Sequence, residues 1–158
     1  MLMAWLMRRR AIPVLLGLVA AVAYPAEQVQ PEPTQEEEPL LSSFETAHWS
    51  PGQGTPGFAK GAQKASLGFD AVSGGETYYA RFPAGSHFEL HWHTHTEYAT
   101  VLRGQVTLTL GVERYSLAQG SYVIIPAKMH HEWRIDAGDD LFLLVRRAGP
   151  ADFNFVDR

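Results

Sequence analysis

Six of the seven histidines in this chain lie between residues 87 and 131, and three of them fall in one short segment. His91, His93, His95 and then Glu97 occupy every second position. Because side chains alternate faces along a β-strand, an unbroken strand would point all four the same way. Buried imidazole and carboxylate groups need a partner, and a divalent transition metal is the simplest one. The spacing therefore predicts a metal site, and the alternative is a polar edge strand that happens to carry histidines.

A second histidine pair, His130 and His131, lies further along the chain. On a strand, His131 shares one face with Trp133 and Ile135, and that face carries the apolar side chains. We therefore expect His131 to point into the core and His130 to lie outward or at the rim. Three imidazoles and one carboxylate would leave open coordination positions, which is typical of a catalytic metal rather than a structural one.

The elements that must position these residues are short strands. Segments rich in aromatic and β-branched residues alternate with glycine and proline, and no long segment has helical periodicity. The predicted strands are 65–69, 77–82, 88–90, 98–102, 106–110, 113–117, 122–125, 131–135 and 141–146, with a further short strand near 44–49. Regular short strands of this kind favour an all-β antiparallel sandwich or barrel.

The first 23 residues are typical of a signal peptide. Three arginines at residues 8–10 precede an apolar run of 14 residues, 11–24, which is shorter than the ~20 residues that a membrane-spanning helix needs. Ala21 and Ala23 supply a small-x-small pattern, so we expect cleavage after Ala23 and a periplasmic or secreted protein. The alternative is an uncleaved N-terminal anchor. The chain has no cysteine, which is compatible with export.

Residues 24–43 are expected to form a solvated linker, because the stretch 27–39 holds five Glu and three Pro and little to bury. Residues 44–158 are then one domain of ordinary size. Losing the three leader arginines would change the formal net charge from −4 to −7. An acidic chain argues against a nucleic-acid partner or an anionic membrane surface, and after cleavage no stable membrane insertion is expected.

Two motifs resemble those of the cupin superfamily. They are Gly85-x5-His91-x-His93-x3-Glu97-x6-Gly104 and Gly120-x5-Pro126-x4-His131. The resemblance covers about residues 61–156 and is to small exported single-domain bacterial cupins. It implies a jelly-roll β-barrel of short antiparallel strands, with one metal held inside by His91, His93, Glu97 and His131. It also implies a homodimer formed through an edge of the barrel.

The sequence departs from the second motif at two positions. The motif usually has glycine two residues after Pro126, whereas this chain has Lys128, which must adopt a different or slightly strained turn. Asparagine often follows four residues after the motif histidine, and here that residue is Ile135. Since the asparagine is not a metal ligand, this second departure leaves the predicted metal site intact.

The role of His95 stays open at this point, because the general motif does not include it. It could orient a metal ligand through a hydrogen bond, contact substrate or carry a proton, or lie exposed at the rim. Tyr79, Arg81 and Glu89 are further candidates: Tyr79 and Arg81 share a strand face that could line the cavity, and Glu89 could carry protons. None of these forms a motif, and each has an ordinary structural interpretation.

The predicted ligands suit one divalent transition metal, Fe, Mn, Zn, Ni, Co or Cu, and do not select among them. An open metal site on a cupin barrel implies an oxygenase or isomerase acting on a small oxygen-bearing molecule. The alternatives are a non-catalytic barrel that binds metal or a small ligand for sensing, scavenging or storage, and a degenerate, metal-free cupin. Fold alone does not separate these functions.

Overall fold

The structure is a computed structural model, and it describes residues 40–52 and 56–156. Within these residues the chain forms eleven β-strands and no helix. The strands are β1 Ser50–Pro51, β2 Gln63–Phe69, β3 Glu76–Phe82, β4 His87–Trp92, β5 Glu97–Arg103, β6 Gln105–Leu110, β7 Glu113–Ala118, β8 Tyr122–Ile125, β9 His131–Ile135, β10 Leu141–Arg147 and β11 Asn154–Phe155. Over the same part of the chain, no helix is long and apolar enough to cross a bilayer.

The strands form two sheets in which every neighbouring pair is antiparallel. One sheet has the order β1-β2-β3-β10-β5-β8, and the other has the order β11-β4-β9-β6-β7. Residues from both sheets share one apolar core, so the sheets enclose the interior between them. The predicted all-β jelly-roll fold is confirmed.

Alternation along the strands builds this core. In β3, every second side chain from Glu76 to Phe82 is buried, and β10 buries Leu141, Leu143, Val145 and Arg147. Two of the inward positions are therefore charged residues in an otherwise apolar pattern. Because buried charges need partners, the inner face of this sheet must supply one for each of them.

Most of the predicted strands are observed, usually extended by a residue or two. The predicted short strand near 44–49 is wrong: residues 44–47 form a turn, and β1 follows at Ser50–Pro51. The two-residue strand β11 was not predicted. The histidine segment is not one unbroken strand, because β4 ends at Trp92 and β5 begins at Glu97, which agrees with the separate predicted strands 88–90 and 98–102.

The predicted signal peptide lies outside the described residues, and so do residues 24–39 of the predicted linker. Residues 40–43 are described and form no strand. These parts of the domain organisation stay predictions.

Candidate metal centre

Three histidines come together on the inner face of the five-stranded sheet. His91 in β4 is the register partner of His131, the first residue of β9, and His93 follows directly after β4. One ring nitrogen from each lies within 4.8 Å of the others, and all three side chains are buried. The β4–β9 register shifts between Phe88 and His91, and such irregularities commonly redirect side chains next to functional sites.

Each of these rings is held by a backbone carbonyl. Nδ1 of His91 donates to the carbonyl oxygen of Glu89 (2.6 Å), Nδ1 of His93 donates to that of Asp152 (2.6 Å), and Nδ1 of His131 donates to that of Met129 (2.9 Å). A carbonyl only accepts, so each Nδ1 carries the proton. In the neutral ring, the lone pair is then on Nε2, which is the tautomer that binds a metal through Nε2.

The three Nε2 atoms are buried and have no hydrogen-bond partner among the described residues. A buried polar atom without a partner costs about 1–3 kcal/mol, and here three occur side by side. A divalent transition metal would satisfy all three lone pairs together. The residues therefore fit the metal that the sequence predicts.

Burial keeps two of the rings neutral. It lowers the pKa of His91 to about 3, with the neighbouring His131 adding to the effect. Burial likewise lowers the pKa of His131 to about 4. Neutral imidazoles are the form that ligates a metal, so the site is in its binding form at neutral pH.

Glu97 opens β5 beside the triad, although the cluster with mutually close ligand atoms contains only the three histidines. Its Oε2 lies 3.2 Å from Nε2 of His93 and accepts from Nη2 of Arg147 at 2.7 Å. Burial alone would raise the pKa of Glu97, but Arg147 and His93 outweigh it and hold the pKa far below its usual value. With the proton of His93 on Nδ1, two lone pairs meet across the 3.2 Å contact, which calls for a proton or a metal cation between them.

Sequence reasoning missed Arg147, which is 2% exposed and is the register partner of Glu97 across β10 and β5. Its Nε and Nη2 donate to the hydroxyl of Tyr78 at 3.3 and 3.1 Å. Burial raises the pKa of Tyr78 to about 12, so the hydroxyl stays protonated. The available signal was parity: Arg147 falls on the same strand face as the apolar Leu143 and Val145.

A second missed feature is the segment that holds His93. The carboxylate of Asp152 accepts hydrogen bonds from the backbone N–H of Thr94 at 3.0 Å and its hydroxyl at 2.5 Å, and from Asn154 Nδ2 at 2.9 Å. These contacts place the Asp152 carbonyl oxygen on Nδ1 of His93. The two residues are 59 apart in the chain, and no local pattern pairs them.

The remaining candidates lie elsewhere. His95 is on the bend between β4 and β5, and its ring packs so closely on Gly149 that a Cβ there would lie 2.6 Å from it. Tyr79 and Arg81 face outward from β3, where they contact the carbonyl of Ser42 and the carboxylate of Asp140. The inward residues of β3 line the cavity instead. Those lining residues are Tyr78, Ala80 and Phe82.

Glu89 is also outside the site as a side chain, since its carboxylate is 48% exposed and lies 3.2 Å from His87. Only its backbone carbonyl takes part, on His91.

The turn before β9 adopts the backbone that the glycine of the motif would favour. Lys128 has φ 62°, in the left-handed region, and its N–H donates to the carbonyl of His93 at 2.8 Å. Of the two outcomes expected at Lys128, the structure shows the strained one: the turn keeps the left-handed conformation that glycine would adopt there. His131 is buried and His130 exposed, as strand parity predicted.

Comparison with known proteins agrees with this geometry. A family model described as a cupin domain matches residues 78–145, which include all three histidines and Glu97. This match identifies residues 78–145 as a cupin domain. None of the curated proteins matches the sequence.

Solved structures share the fold. A cupin 2 conserved barrel domain protein from Rhodopseudomonas palustris is 24% identical, with a TM-score of 0.60 over 71% of this chain and 79% of its own. A cupin-2 domain protein from Rhodospirillum rubrum is 20% identical (TM-score 0.62, 78% and 86% covered). The polyketide cyclase RemF from Streptomyces resistomycificus is 17% identical (TM-score 0.63, 77% and 87% covered). At these identities the likeness concerns the fold, and function must be argued from the site.

Proposed function

We propose that this cupin is an exported metal-dependent enzyme of the oxygenase or isomerase type that acts on a small oxygen-bearing molecule. The observation that carries the proposal is the set of three buried Nε2 atoms without partners, each on a ring whose Nδ1 donates to a carbonyl. His91, His93 and His131 would hold the metal, with Glu97 beside them as the fourth candidate ligand. A bound divalent transition metal supplies a Lewis acid that polarises an oxygen of the bound molecule, and redox chemistry if it is iron or copper.

The side chains of the cupin domain prepare this centre in three ways. The carbonyl contacts fix the rings before any metal arrives, which limits the ordering cost of binding. Arg147 keeps Glu97 ionised and in place. Aromatic rings cover the histidines: Phe88 lies 4.2 Å from the ring of His91 and Phe153 lies 5.1 Å from that of His93, centroid to centroid. Such a shell excludes water and strengthens electrostatic interactions inside.

A non-catalytic barrel that binds metal or a small ligand is the second candidate, and one observation favours it. Among the described residues, none of the four side chains considered as proton carriers or substrate contacts forms a hydrogen bond or ion pair with the three histidines. Those side chains are His95, Tyr79, Arg81 and Glu89. A catalytic role would then rest on the metal ligands, Arg147 and Tyr78.

The cellular setting is part of the proposal. The apolar leader and its small-x-small pattern support export to the periplasm or beyond, and the acidic composition supports a small-molecule ligand rather than nucleic acid. A homodimer is proposed on family resemblance.

Elemental analysis tests the metal centre. The full chain, produced by export and without a histidine tag, should carry near one equivalent of a single transition metal, and His131→Ala should lose it. His130→Ala is the matched control, since the adjacent exposed histidine should leave the metal in place. Wild-type protein that stays metal-free after incubation with Fe, Mn, Zn, Ni, Co or Cu salts, or equal loss in both variants, would contradict the proposal.

Activity separates the two candidates. With iron or copper in the site, dioxygen uptake on phenolic or diketone compounds supports the enzyme. Tight binding of such a compound, with no product formed by the metal-loaded protein, supports the non-catalytic barrel instead.

A further inference from the structure

A cavity of about 140 Å³ lies inside the barrel and shares residues with the metal centre. Glu97 and Arg147 line it, whereas the three histidines do not. Its walls are largely apolar, and two of the residues that line it, Lys64 and Pro51, are exposed to solvent. The aromatic lining residues are Phe58, Tyr78, Phe82, Phe88, Trp133 and Phe153. An apolar cavity of about 150 Å³ holds a benzene molecule, so this one has room for a single six-membered ring.

Arg147 gives this apolar cavity a specific polar group. Two of its nitrogens, Nε and Nη2, are engaged by Tyr78 and Glu97. The third, Nη1, is buried and has no hydrogen-bond partner among the described residues. Leaving a buried charged donor unsatisfied is costly, so Nη1 favours a ligand that brings an acceptor oxygen.

The charges around the cavity favour an anionic acceptor. Arg147 is balanced by Glu97, and Lys64 is balanced by the buried Glu76 at 2.9 Å. These pairs cancel, so a divalent metal on the triad would leave the interior positively charged. A carboxylate would offset that charge and form a charge-assisted hydrogen bond with the guanidinium.

We infer that the cavity binds a small carboxylate carrying one apolar ring, with the carboxylate on Nη1 of Arg147 and the ring among the aromatic side chains. The inference rests on the proposed metal-dependent function and narrows its substrate class. Arg147 is then the residue that selects the anionic group, and the volume of the cavity limits the ligand to a single six-membered ring.

Calorimetric titration of the metal-loaded full chain tests this with three probes. Benzoate has both the ring and the carboxylate, benzamide is its neutral isostere, and acetate has the carboxylate without the ring. Benzoate should bind about tenfold more tightly than either of the others. Metal content is measured on the same samples.

Three variants locate the binding. Arg147→Gln should lower the affinity for benzoate to that for benzamide. Ala80→Leu adds a larger side chain from β3 to the cavity, and it should weaken the binding of benzoate about tenfold or more while the metal content stays unchanged. Arg81→Gln is the matched control, because Arg81 is on the same strand as Ala80 but faces outward, and it should bind like wild type.

The outcomes separate this inference from the proposed function. Metal-loaded wild type that binds benzamide or acetate as tightly as benzoate overturns the inference and leaves the metal centre standing. An Ala80→Leu variant that binds benzoate as tightly as wild type also overturns the inference. This result tests the inference even if Arg147→Gln fails to fold. Wild type without metal is a failure of the proposed function, and a preference for benzoate in that protein would still support a cavity that binds carboxylates.

Discussion

Two arginine–carboxylate pairs lie on opposite faces of the six-stranded sheet, and their contacts are nearly the same length. Arg147 and Glu97 meet at 2.7 Å on the inner face, and Arg81 and Asp140 meet at 2.6 Å on the outer face. Their surroundings differ. The inner side chains are 2% and 5% exposed, while the outer ones are 41% and 28% exposed.

The difference shows that burial, rather than distance, decides what an ion pair does. The outer pair is screened by solvent, and Asp140 also accepts from the N–H of Ala84, so the pair braces a turn. The inner pair is desolvated, and each charge depends on the other. Only the inner pair reaches the histidines, through the contact between Glu97 and His93.

Removing the inner arginine should produce the largest effect. Arg147→Met leaves Glu97 buried without its cation, and we expect a loss of about 3–5 kcal/mol in the free energy of unfolding. Urea denaturation of metal-free protein measures this. The double variant Arg147→Met/Glu97→Leu should recover most of the loss; a single variant as stable as wild type would contradict the desolvation argument.

Lowering the pH should affect the inner region next. The folded-state pKa is about 3 for His91 and about 4 for His131, against an ordinary value of 6.5 that applies to the unfolded chain. Between these values the unfolded state binds more protons, so stability falls as pH drops below 6.5. At pH 5 the loss should be on the order of 2 kcal/mol for each histidine.

Denaturation of metal-free protein at pH 7.5 and pH 5 checks this expectation. The exposed His130 serves as the control, since His130→Ala should show the same pH dependence as wild type. Equal stability at the two pH values would contradict the lowered pKa values, because it would mean that the buried rings take up protons in the folded state as readily as in the unfolded chain.

Breaking the outer pair should have the smallest effect. Arg81→Gln is expected to cost about 0.2–1 kcal/mol, because the pair is exposed and Asp140 keeps its bond from Ala84. Thermal unfolding beside Arg147→Met gives the comparison directly. Similar losses in the two variants would show that burial does not distinguish these pairs.

Much of the fold could be predicted because strand signals are local. Alternating apolar residues and glycine or proline turns set most strand positions, and β8 Tyr122–Ile125 and β9 His131–Ile135 begin and end where predicted. The same alternation put His131 inside. It did not extend from His93 to Glu97, where the chain bends, and the structure places His95 on that bend.

The sequence by itself determined the strand pattern, the cupin motifs and the histidines that the fold would bring together, because these depend on residue type and short spacing. Only the tertiary structure decided that Arg147 holds Glu97 and that a carbonyl of Asp152 holds His93. Both contacts join residues at least 50 positions apart in the chain, and such pairs depend on sheet register and loop packing. The physical reason is that a buried polar group takes whichever partner the closed barrel brings within reach.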